Sequence, residues 1–395
     1  MKHIVIGVTG SIAAYKAVDL VSQLSKIKEL EIDVIMTKSA CEFVQPLSFE
    51  ALLKKKVYID TFESQTGDIN HISLAKKSDL LVMVPASANS IAKVVHGMAD
   101  DLLTSTWIAA TCKKMICPAM NVHMYENPIT QHNLALAKSY GMQIVEPASG
   151  HLACGDTGKG KLADIYDILD EIMCTLHDKP LAGKKVLISA GPTKEAIDPV
   201  RFITNHSSGK MGYALARQAA AMGAEVTLVS GPTQLKTPLH VSRIDVTSSQ
   251  EMAEAIFANS EQADYIIMSA AVADYRPTHV AEHKIKKNDN SFNIPLCRTT
   301  DILASLGQTK KSGQLLCGFA METQNLLENA RLKLTKKNCD MIVANSIASK
   351  GAGFQVDTNI ATLITHDNIC ELPLMTKDDL AKKVLHTLMN MEDKK

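Results

Sequence analysis

The sequence predicts an α/β protein built from two three-layer α/β/α domains, each with a mostly parallel sheet. A short apolar run, a glycine-bearing turn and a helical pattern follow one another twice, starting near residues 4 and 184. Strands that alternate with helices form parallel sheets through right-handed crossovers. The length of 395 residues also suffices for two or three domains, each with its own core.

The first opening comprises an apolar strand over residues 4–8, the turn Thr9-Gly10-Ser11, and apolar residues at helical spacing from Ala17 to Leu24. Further apolar runs predict the other strands of this half, at residues 32–37, 80–84, 115–117 and 143–145.

The pattern restarts with a strand over residues 186–190 and the turn Gly191-Pro192-Thr193, and a helix is predicted after Gly209. The remaining strands of this half are predicted at residues 225–229, 265–269, 315–319 and 341–344. Residues 178–183 combine proline, glycine and charge, which is typical of a linker. We therefore predict domains over residues 1–178 and 183–395, with ligands at the carboxyl ends of the strands.

Composition excludes several classes of function. Lys+Arg and Asp+Glu both number 42, and a chain without a basic surplus is unsuited to non-specific nucleic-acid binding. The opening apolar run is too short for a signal peptide and no run approaches the ~18 residues of a membrane helix, so we expect neither leader nor membrane attachment. Nine cysteines without a C-x-x-C motif indicate a reducing, cytoplasmic compartment.

Polar turns follow two strands of the first half, Gly10-Ser11 and Ser87-Ala88-Asn89. A turn of small residues before a helix suits a phosphate group, although a tight bend requires the same residues. There is no G-x-G-x-x-G motif, so a dinucleotide site is not indicated. Residues 152–161 contain three glycines around Cys154 and predict a flexible loop, whose exposed thiol could exchange a proton or be incidental.

Residues 3–175 resemble the flavin-containing cysteine decarboxylases. The resemblance is carried by Gly-Val-Thr-Gly-Ser, Pro-Ala-Ser-Ala-Asn, His71 within Asn-His-Ile, Pro-Ala-Met-Asn, and Ala-Cys-Gly-Asp-x-Gly-x-Gly. It implies a flavodoxin-like domain that holds FMN. The implied FMN-binding residues are Gly10, Ser11, a hydroxyl at the second strand end (Thr37 or Ser39), Ser87, Ala88 and Asn89.

The same resemblance implies a reaction. FMN would oxidise a cysteinyl thiol to a thioaldehyde, the adjacent carboxylate would leave as CO₂, and the reduced flavin would return the electrons. Cys154 would then protonate the enethiolate, Asn121 would bind the substrate carboxylate, and His71 would assist the oxidative and decarboxylating steps. Lys161 stands where relatives often carry arginine.

The second half concentrates polar residues at its first predicted helix. The run from Asn205 to Gly212 offers an amide, hydroxyls, glycines and a lysine, which favours an anion cradle over a simple serine cap. Asp274 follows another strand, where a carboxylate suits a ribose hydroxyl or Mg²⁺. Lysines cluster at residues 284–287 and 333–337, either as solvated faces or as screens for a triphosphate.

Residues 183–390 are similar to the CTP-using bacterial phosphopantothenate–cysteine ligases. The matching pieces include Ser-Ala-Gly-Pro-Thr, Asp-Pro-Val-Arg, Asn-His-Ser-Ser-Gly-Lys-Met-Gly, Ala-Ala-Val-Ala-Asp-Tyr and Lys-x-Lys-Lys. The similarity implies a Rossmann-like domain in which Asn205 handles an acyl-cytidylate and Lys284 supports its formation. The implied nucleotide contacts are Ala270, Ala271, Asp274, Lys284, Phe319, Lys333 and Lys337. Thr300 replaces the proline frequent before Asp301, which weakens Asp301 as a marker of the triphosphate loop.

Together the resemblances imply a bifunctional enzyme of coenzyme A biosynthesis, whose second half makes the substrate of its first. Its cofactors would be FMN and Mg²⁺, and its substrates 4'-phosphopantothenate, cysteine and CTP. The families imply a homo-oligomer with trimeric decarboxylase and dimeric ligase contacts. One alternative is a flavin-binding regulatory or prenyl-transferring protein with a degenerate second half, and Cys154 and the lysine motif argue against it. The other alternative is an NAD(P)-dependent oxidoreductase, and the missing G-x-G-x-x-G motif argues against that.

Overall fold

The computed structural model describes residues 1–62, 69–151, 155–286, 293–322, 326–346 and 356–392. It divides into two units, Met1–His177 and Asp178–Lys395. Each unit is described by itself below.

A parallel sheet with the order β2-β1-β3-β4-β5 forms the centre of the first unit. Its strands are β1 (Lys2–Val8), β2 (Leu30–Met36), β3 (Leu80–Ala86), β4 (Lys113–Pro118) and β5 (Gln143–Ile144). This order is that of flavodoxin-like sheets, in which the order reverses between β1 and β3. The predicted strands are present. Those of β1, β2, β3 and β4 are largely apolar runs buried within the sheet, whereas β5, at its edge, is half-buried.

Helices cover both faces of this sheet. They are α1 (Ala14–Leu24), α2 (Lys38–Cys41), α3 (Leu47–Leu53), α4 (Asn70–Lys77), α5 (Ala88–Val95), α6 (Leu102–Ala109), α7 (Val122–Glu126), α8 (Pro128–Ser139) and α9 (Ile165–Leu176). Ile4 and Ile6 of β1 face a core shared with α1 and α9, whereas Val5 faces a core shared with α4, α5, α6 and α8. Alternate residues of a strand point to opposite faces, and β1 therefore contributes to both cores.

A hairpin follows β5. It consists of β6 (Ala148–His151) and β7 (Thr157–Lys161), which pair in antiparallel register. The prediction of a loop over residues 152–161 is therefore wrong for residues 157–161, because pairing with β6 turns this glycine-rich stretch into a strand. Cys154 itself lies outside the described residues.

The second unit has a larger sheet with the order β12-β11-β8-β13-β16-β17-β19-β20. Its strands are β8 (Lys185–Ala190), β11 (Glu225–Ser230), β12 (Val241–Asp245), β13 (Tyr265–Met268), β16 (Leu315–Glu322), β17 (Met341–Ser346), β19 (Ala361–Thr365) and β20 (Ile369–Glu371). Short antiparallel pairs join β9 (Lys194–Ala196) to β10 (Phe202–Thr204), β14 (Tyr275–Pro277) to β15 (Leu296–Arg298), and β18 (Thr358–Asn359) to β21 (Met375–Thr376).

The strands from β12 to β17 are parallel and, numbered by their place in the chain, follow the order 3-2-1-4-5-6 of a Rossmann sheet. Two antiparallel strands, β19 and β20, extend it beyond β17. Both sheets and both layer arrangements confirm the predicted fold class.

Helices again cover both faces. They are α10 (Lys210–Ala221), α11 (Ser249–Ser260), α12 (Ile302–Thr309), α13 (Leu326–Lys336) and α14 (Lys377–Glu392). Ile188 of β8 packs on the side of α10 and α14, and Leu187 on the side of α11, α12 and α13. Near the end of α14, Glu392 accepts hydrogen bonds from Tyr265 Oη (2.6 Å) and Lys184 Nζ, which joins the first and last parts of the unit.

One glycine lets α10 approach the sheet closely. A Cβ atom on Gly212 would lie 2.5 Å from the Cβ atom of Ala190, at the end of β8. The first turn of α10 therefore rests directly on the end of β8, beside the point where the strand order reverses. Among the helices of the described residues, none is long and apolar enough to cross a membrane.

Candidate active sites

A cavity of about 720 Å³ opens at the carboxyl ends of β1, β2 and β3. Residues predicted to bind FMN line this cavity: Gly10, Thr37, Ser39, Ser87, Ala88 and Asn89. Ser11 is not part of the lining; its Oγ lies 3.5 Å from the carbonyl oxygen of Ala119. Thr37 and Ser39, the two candidate hydroxyl residues at the end of the second strand, both line the cavity, so both are placed to contact FMN.

A buried threonine joins the two loops that form most of this cavity. Thr9 Oγ1 donates a hydrogen bond to Pro85 O (2.7 Å) and accepts one from Ser87 N (2.9 Å). The hydroxyl is fully buried and uses both its donor and an acceptor site. The loop after β1 and the turn after β3 are therefore held in fixed register.

The cavity has the features that a flavin phosphate requires. A Cβ atom on Gly10 would lie 2.6 Å from the Cβ atom of Ser39, so only glycine permits the loop after β1 to approach α2 this closely. Ser87 Oγ accepts a hydrogen bond from Ser90 N (3.3 Å) and caps α5, whose N-terminus lines the cavity. Helix N-termini favour anions, and the cavity is within the usual size of cofactor sites.

His71 lies on α4, half-buried, and is not part of the cavity lining. Its Nδ1 atom is buried and has no hydrogen-bond partner among the described residues. An unpaired buried ring nitrogen costs free energy unless a ligand satisfies it. The orphaned nitrogen therefore fits a role toward a bound group.

Asn121 precedes α7 and uses both ends of its amide. The oxygen Oδ1 accepts a hydrogen bond from His123 N (2.8 Å) and caps the helix, while Nδ2 donates to Asp156 Oδ2 (2.7 Å). The cap orients the amide so that its N–H groups point away from the helix backbone. Asn121 is thus a fixed donor, and the carboxylate that it contacts in this structure is that of Asp156.

The strand β7 is packed tightly against the Asn121 loop. Met120 N donates to Gly160 O (3.0 Å), and Glu146 accepts from Lys159 Nζ and from Tyr125 Oη, each at 2.9 Å. Burial raises the pKa of Glu146, but hydrogen bonds from Lys159, Lys138 and Tyr125 outweigh it and lower the pKa to about 2. The carboxylate is therefore ionised throughout the neutral range and links β7 to α7.

We predict that Gly160→Ala lowers, by about a hundredfold, the kcat/KM of the decarboxylation that the sequence resemblance implies, because the new methyl group would lie 2.5 Å from Met120 O and displace β7. Ligation of cysteine, measured on the same protein, should be unchanged. Gly141→Ala is the matched control, since Gly141 also has a positive φ but no atom within 4 Å of its added Cβ. An unaltered decarboxylation rate in Gly160→Ala would show that the packing of β7 is not needed.

In the second unit, a cavity of about 180 Å³ lies at the N-terminus of α10. Its lining includes Ser207–Gly212, three of the predicted nucleotide contacts (Ala270, Ala271 and Phe319), and Asn345, Asn359 and Lys377. Asn205 lies beside it and donates from Nδ2 to Ala271 O (3.0 Å). The motif after β8 and the motif after β13 therefore meet where the strand order reverses, which is where such sheets bind ligands.

The backbone beside Lys284 is held by an ion pair. Asp198 accepts hydrogen bonds from Arg201 Nε (2.9 Å) and Ile285 N (3.2 Å), and Arg201 Nη2 donates to Ile285 O (2.9 Å). The Arg201 guanidinium and the backbone N–H groups hold the pKa of Asp198 well below its usual range. We call this pair and its contacts with Ile285 the Asp198–Arg201 clamp. Lys284 is exposed next to the clamp, and Lys287 lies outside the described residues.

The other predicted contacts lie outside the cavity lining. Asp274 is exposed, and its carbonyl oxygen accepts a hydrogen bond from Thr299 N (3.0 Å). Asp301 caps α12 and pairs with Lys337, one residue beyond α13. Asp301, whose value as a marker of the triphosphate loop Thr300 had weakened, thus lies beside Lys337, one of the lysines predicted to contact the nucleotide. Lys333, the other such lysine, is half-buried on α13.

Sequence reasoning missed three buried polar residues of this cavity, Asn345, Asn359 and Lys377. Asn345 Oδ1 has no hydrogen-bond partner in the part of the chain that the structure describes. Burial and the nearby Lys210 lower the pKa of Lys377 to about 8. Asn345 lies near the carboxyl end of β17, so the rule that ligands lie at the carboxyl ends of parallel strands could have found it. The other two residues carry no such signal.

A cluster of one histidine and two carboxylates in the first unit is not suited to binding a metal ion. His3, Glu31 and Asp33 lie close together at the start of β1 and β2, but Asp33 already pairs with Lys55 Nζ (2.6 Å) and Lys77 Nζ. Burial raises the pKa of Asp33, and hydrogen bonds from His3, Lys55 and Lys77 outweigh it and hold the pKa well below its usual range. The lysines supply the positive charge that a cation would bring.

The first unit has a sheet of flavodoxin order, with a cavity where the strand order reverses, and the second has a sheet of Rossmann order with a cavity of its own. These features define the class of the protein, an α/β nucleotide-binding enzyme of two units. Residues 1–177 match the family model described as Flavoprotein, and residues 181–391 match the DNA/pantothenate metabolism flavoprotein C-terminal domain. The chain belongs to the family of Coenzyme A biosynthesis bifunctional proteins, and the predicted family is confirmed.

The chain is similar to the following three proteins, among others. The Coenzyme A biosynthesis bifunctional protein CoaBC of Bacillus subtilis (strain 168) is 46% identical, covering 98% of this chain and 96% of its own. A Cysteine/Cysteine sulfinic acid decarboxylase from an unknown prokaryotic organism is 45% identical, covering 88% of this chain and 99% of its own. A crystal structure of a CoaBC C-terminal domain is 48% identical, covering 55% of this chain and 100% of that one, with a TM-score of 0.48.

Proposed function

We propose that the chain ligates 4'-phosphopantothenate to cysteine at the expense of CTP, and then decarboxylates the product to 4'-phosphopantetheine. Residues 183–395 would act as the ligase and residues 1–178 as the FMN-dependent decarboxylase. The observation that carries the proposal is that, in a chain of this family, motif residues from separate loops line one cavity in each unit.

In the ligase, the phosphopantothenate carboxylate would attack the α-phosphate of CTP and release pyrophosphate, and the cysteine amine would then displace CMP. Asn205 would hold the activated carboxyl group, since its amide is fixed by Ala271 O beside the cavity. Lys284 would stabilise negative charge on the reacting phosphate, because the Asp198–Arg201 clamp presents its backbone at a set position.

In the decarboxylase, FMN would be held by the loops after β1, β2 and β3. When bound, it supplies the oxidation of the cysteinyl thiol and the later return of electrons. Asn121 would bind the substrate carboxylate through its fixed N–H groups. His71 would assist oxidation and loss of CO₂, and Cys154 would supply the final proton.

Asp274 has an exposed carboxylate, which could bind either a nucleotide-bound Mg²⁺ ion or a ribose hydroxyl of the nucleotide. Mg²⁺ is often held by only one or two carboxylates together with substrate phosphates. We expect Asp274→Asn to raise, by about tenfold, the Mg²⁺ concentration for half-maximal ligation, because an amide binds the ion more weakly than a carboxylate does. A higher KM for CTP with unchanged Mg²⁺ dependence would instead assign Asp274 to the ribose.

The direct test is incubation with phosphopantothenate, cysteine and CTP–Mg²⁺, followed by mass detection of phosphopantetheine. The relative named as a cysteine decarboxylase gives a second candidate, decarboxylation of free cysteine. Cysteine supplied alone distinguishes the two, since only the second candidate releases CO₂ without CTP and phosphopantothenate. No pantothenate-derived product under the full conditions would refute the proposal.

The proposal includes a cytoplasmic homo-oligomer with trimeric decarboxylase and dimeric ligase contacts. Thiols that remain reduced suit that compartment, and no two of the described cysteines are joined in a disulfide. Light scattering of the purified chain should give a mass that is a multiple of both three and two protomers. A monomer would refute this part alone.

A further inference from the structure

We propose that Asp156 sets the preference of the decarboxylase site between its acidic substrate and its decarboxylated product. The Asp156 carboxylate competes with the substrate carboxylate for the amide of Asn121. The inference rests on the carboxylate-binding role proposed for Asn121 and adds a residue to which that proposal gives no part.

The first step of the argument is the orientation of Asn121. Its Oδ1 atom is engaged by His123 N at 2.8 Å, so the amide cannot turn over without losing the cap of α7. Nδ2 is therefore the end available to an anion. Asp156 Oδ2 lies 2.7 Å from that nitrogen, a normal distance for a charge-assisted hydrogen bond.

The second step is the placement of Asp156, one residue before β7. A Cβ atom on Gly158 would lie 2.5 Å from Val122 Cγ2, and one on Gly160 would lie 2.5 Å from Met120 O. The absence of side chains at both positions allows β7 to lie against the loop and helix that carry Asn121. The contact between Asp156 and Asn121 thus follows from the packing of the backbone.

The third step is electrostatic. A substrate carboxylate bound to the same nitrogen would lie within about 5 Å of Asp156, a separation at which two like charges repel appreciably in a partly buried site. The substrate must therefore displace Asp156 or bear this repulsion. Loss of CO₂ removes the negative charge from that end of the substrate, and Asp156 recovers the amide without competition. Asp156 thus weakens binding of the acid and leaves binding of the product nearly unchanged.

The test compares two ligands that cannot be oxidised at sulfur. Phosphopantothenoylserine keeps the carboxylate and has a hydroxyl in place of the thiol; the matching ethanolamine amide lacks the carboxylate. Binding to the full FMN-loaded chain is followed by the flavin absorption band, which reports on this site and not on the ligase. Asp156→Ala should bind the serine compound about tenfold more tightly and the ethanolamine compound within about twofold of the unsubstituted chain.

Asp156→Asn keeps an acceptor but removes the charge, and it should also tighten binding of the acid. Asp19→Ala is the matched control, since Asp19 is an exposed carboxylate on α1 of the same unit, and it should change neither affinity. Weaker binding of the acid in Asp156→Ala, or equal tightening of both ligands, would overturn the inference and make Asp156 a support for Asn121.

Asn121→Ala separates this inference from the function on which it rests. If Asn121→Ala abolishes the preference for the acid but Asp156→Ala leaves it unchanged, the proposed function stands and the inference fails. If the serine compound binds the unsubstituted chain and Asn121→Ala equally well, Asn121 is not the carboxylate site and both fail.

Discussion

Replacement of Lys284 by glutamine is expected to abolish pyrophosphate release from CTP and phosphopantothenate. Attack on the α-phosphate spreads negative charge over its oxygens, and the loss of one fixed cation at such a centre typically costs a factor of about 100 to 1,000 in rate. The Asp198–Arg201 clamp holds the backbone of Ile285 in place, so the substitution should remove the charge without releasing the segment. A pyrophosphate-coupled assay measures the effect.

The chain supplies its own control for this variant. Decarboxylation of added phosphopantothenoylcysteine depends on the other unit and should remain at the original rate. Lys383→Gln, an exposed lysine on α14, should leave both activities unaltered. Undiminished pyrophosphate release from Lys284→Gln would remove that lysine from the mechanism.

The second large effect is expected from Cys154→Ser. A serine hydroxyl is a far weaker acid than a thiol, and a positioned proton donor typically contributes about 10²–10⁴ in rate. CO₂ should still be released, while the aminothiol product should form at least about a hundredfold more slowly. Trapping of labelled CO₂ and mass spectrometry of the products measure the two steps separately. The variant should retain its yellow flavin spectrum, since the substitution leaves the described residues that line the cavity, such as Gly10 and Ser87, unchanged.

Cys112→Ser is the control for that experiment, because Cys112 is a half-buried thiol of the same unit and does not line the flavin cavity. Burial raises the pKa of the Cys112 thiol, which keeps it protonated and inert at neutral pH. Complete conversion to aminothiol by Cys154→Ser would refute the role of Cys154 as proton donor.

The sheets could be predicted from the sequence because their strands are continuous apolar runs, such as residues 80–84 and 186–190. The meeting of Gly10 with Ser87 in one cavity could also be predicted, since parallel strands end at the same edge of a sheet. In both cases a local pattern and one general rule of topology were sufficient.

The rest depends on pairings between distant residues. The strand β7 reads as a loop because its glycines have low strand propensity, and only its pairing with β6 and its packing on Val122 make it a strand. Likewise, no local pattern brings Asp156 to Asn121, 35 residues away, or Lys377 to the cavity at α10. The role of Asp274 depends on a ligand and stays a prediction.

The closure of the second unit by α14 has a consequence for how the protein is made. The strands and helices described for the first unit all lie within residues 1–177, so a ribosome has synthesised all of them before it reaches β8 of the second unit. The second unit begins with β8, but β8 shares its core with α14, and Glu392 bonds back to Tyr265 and Lys184. Domains generally fold as units during synthesis. The flavin cavity can therefore form early, whereas the ligase must wait for the last helix to leave the ribosome.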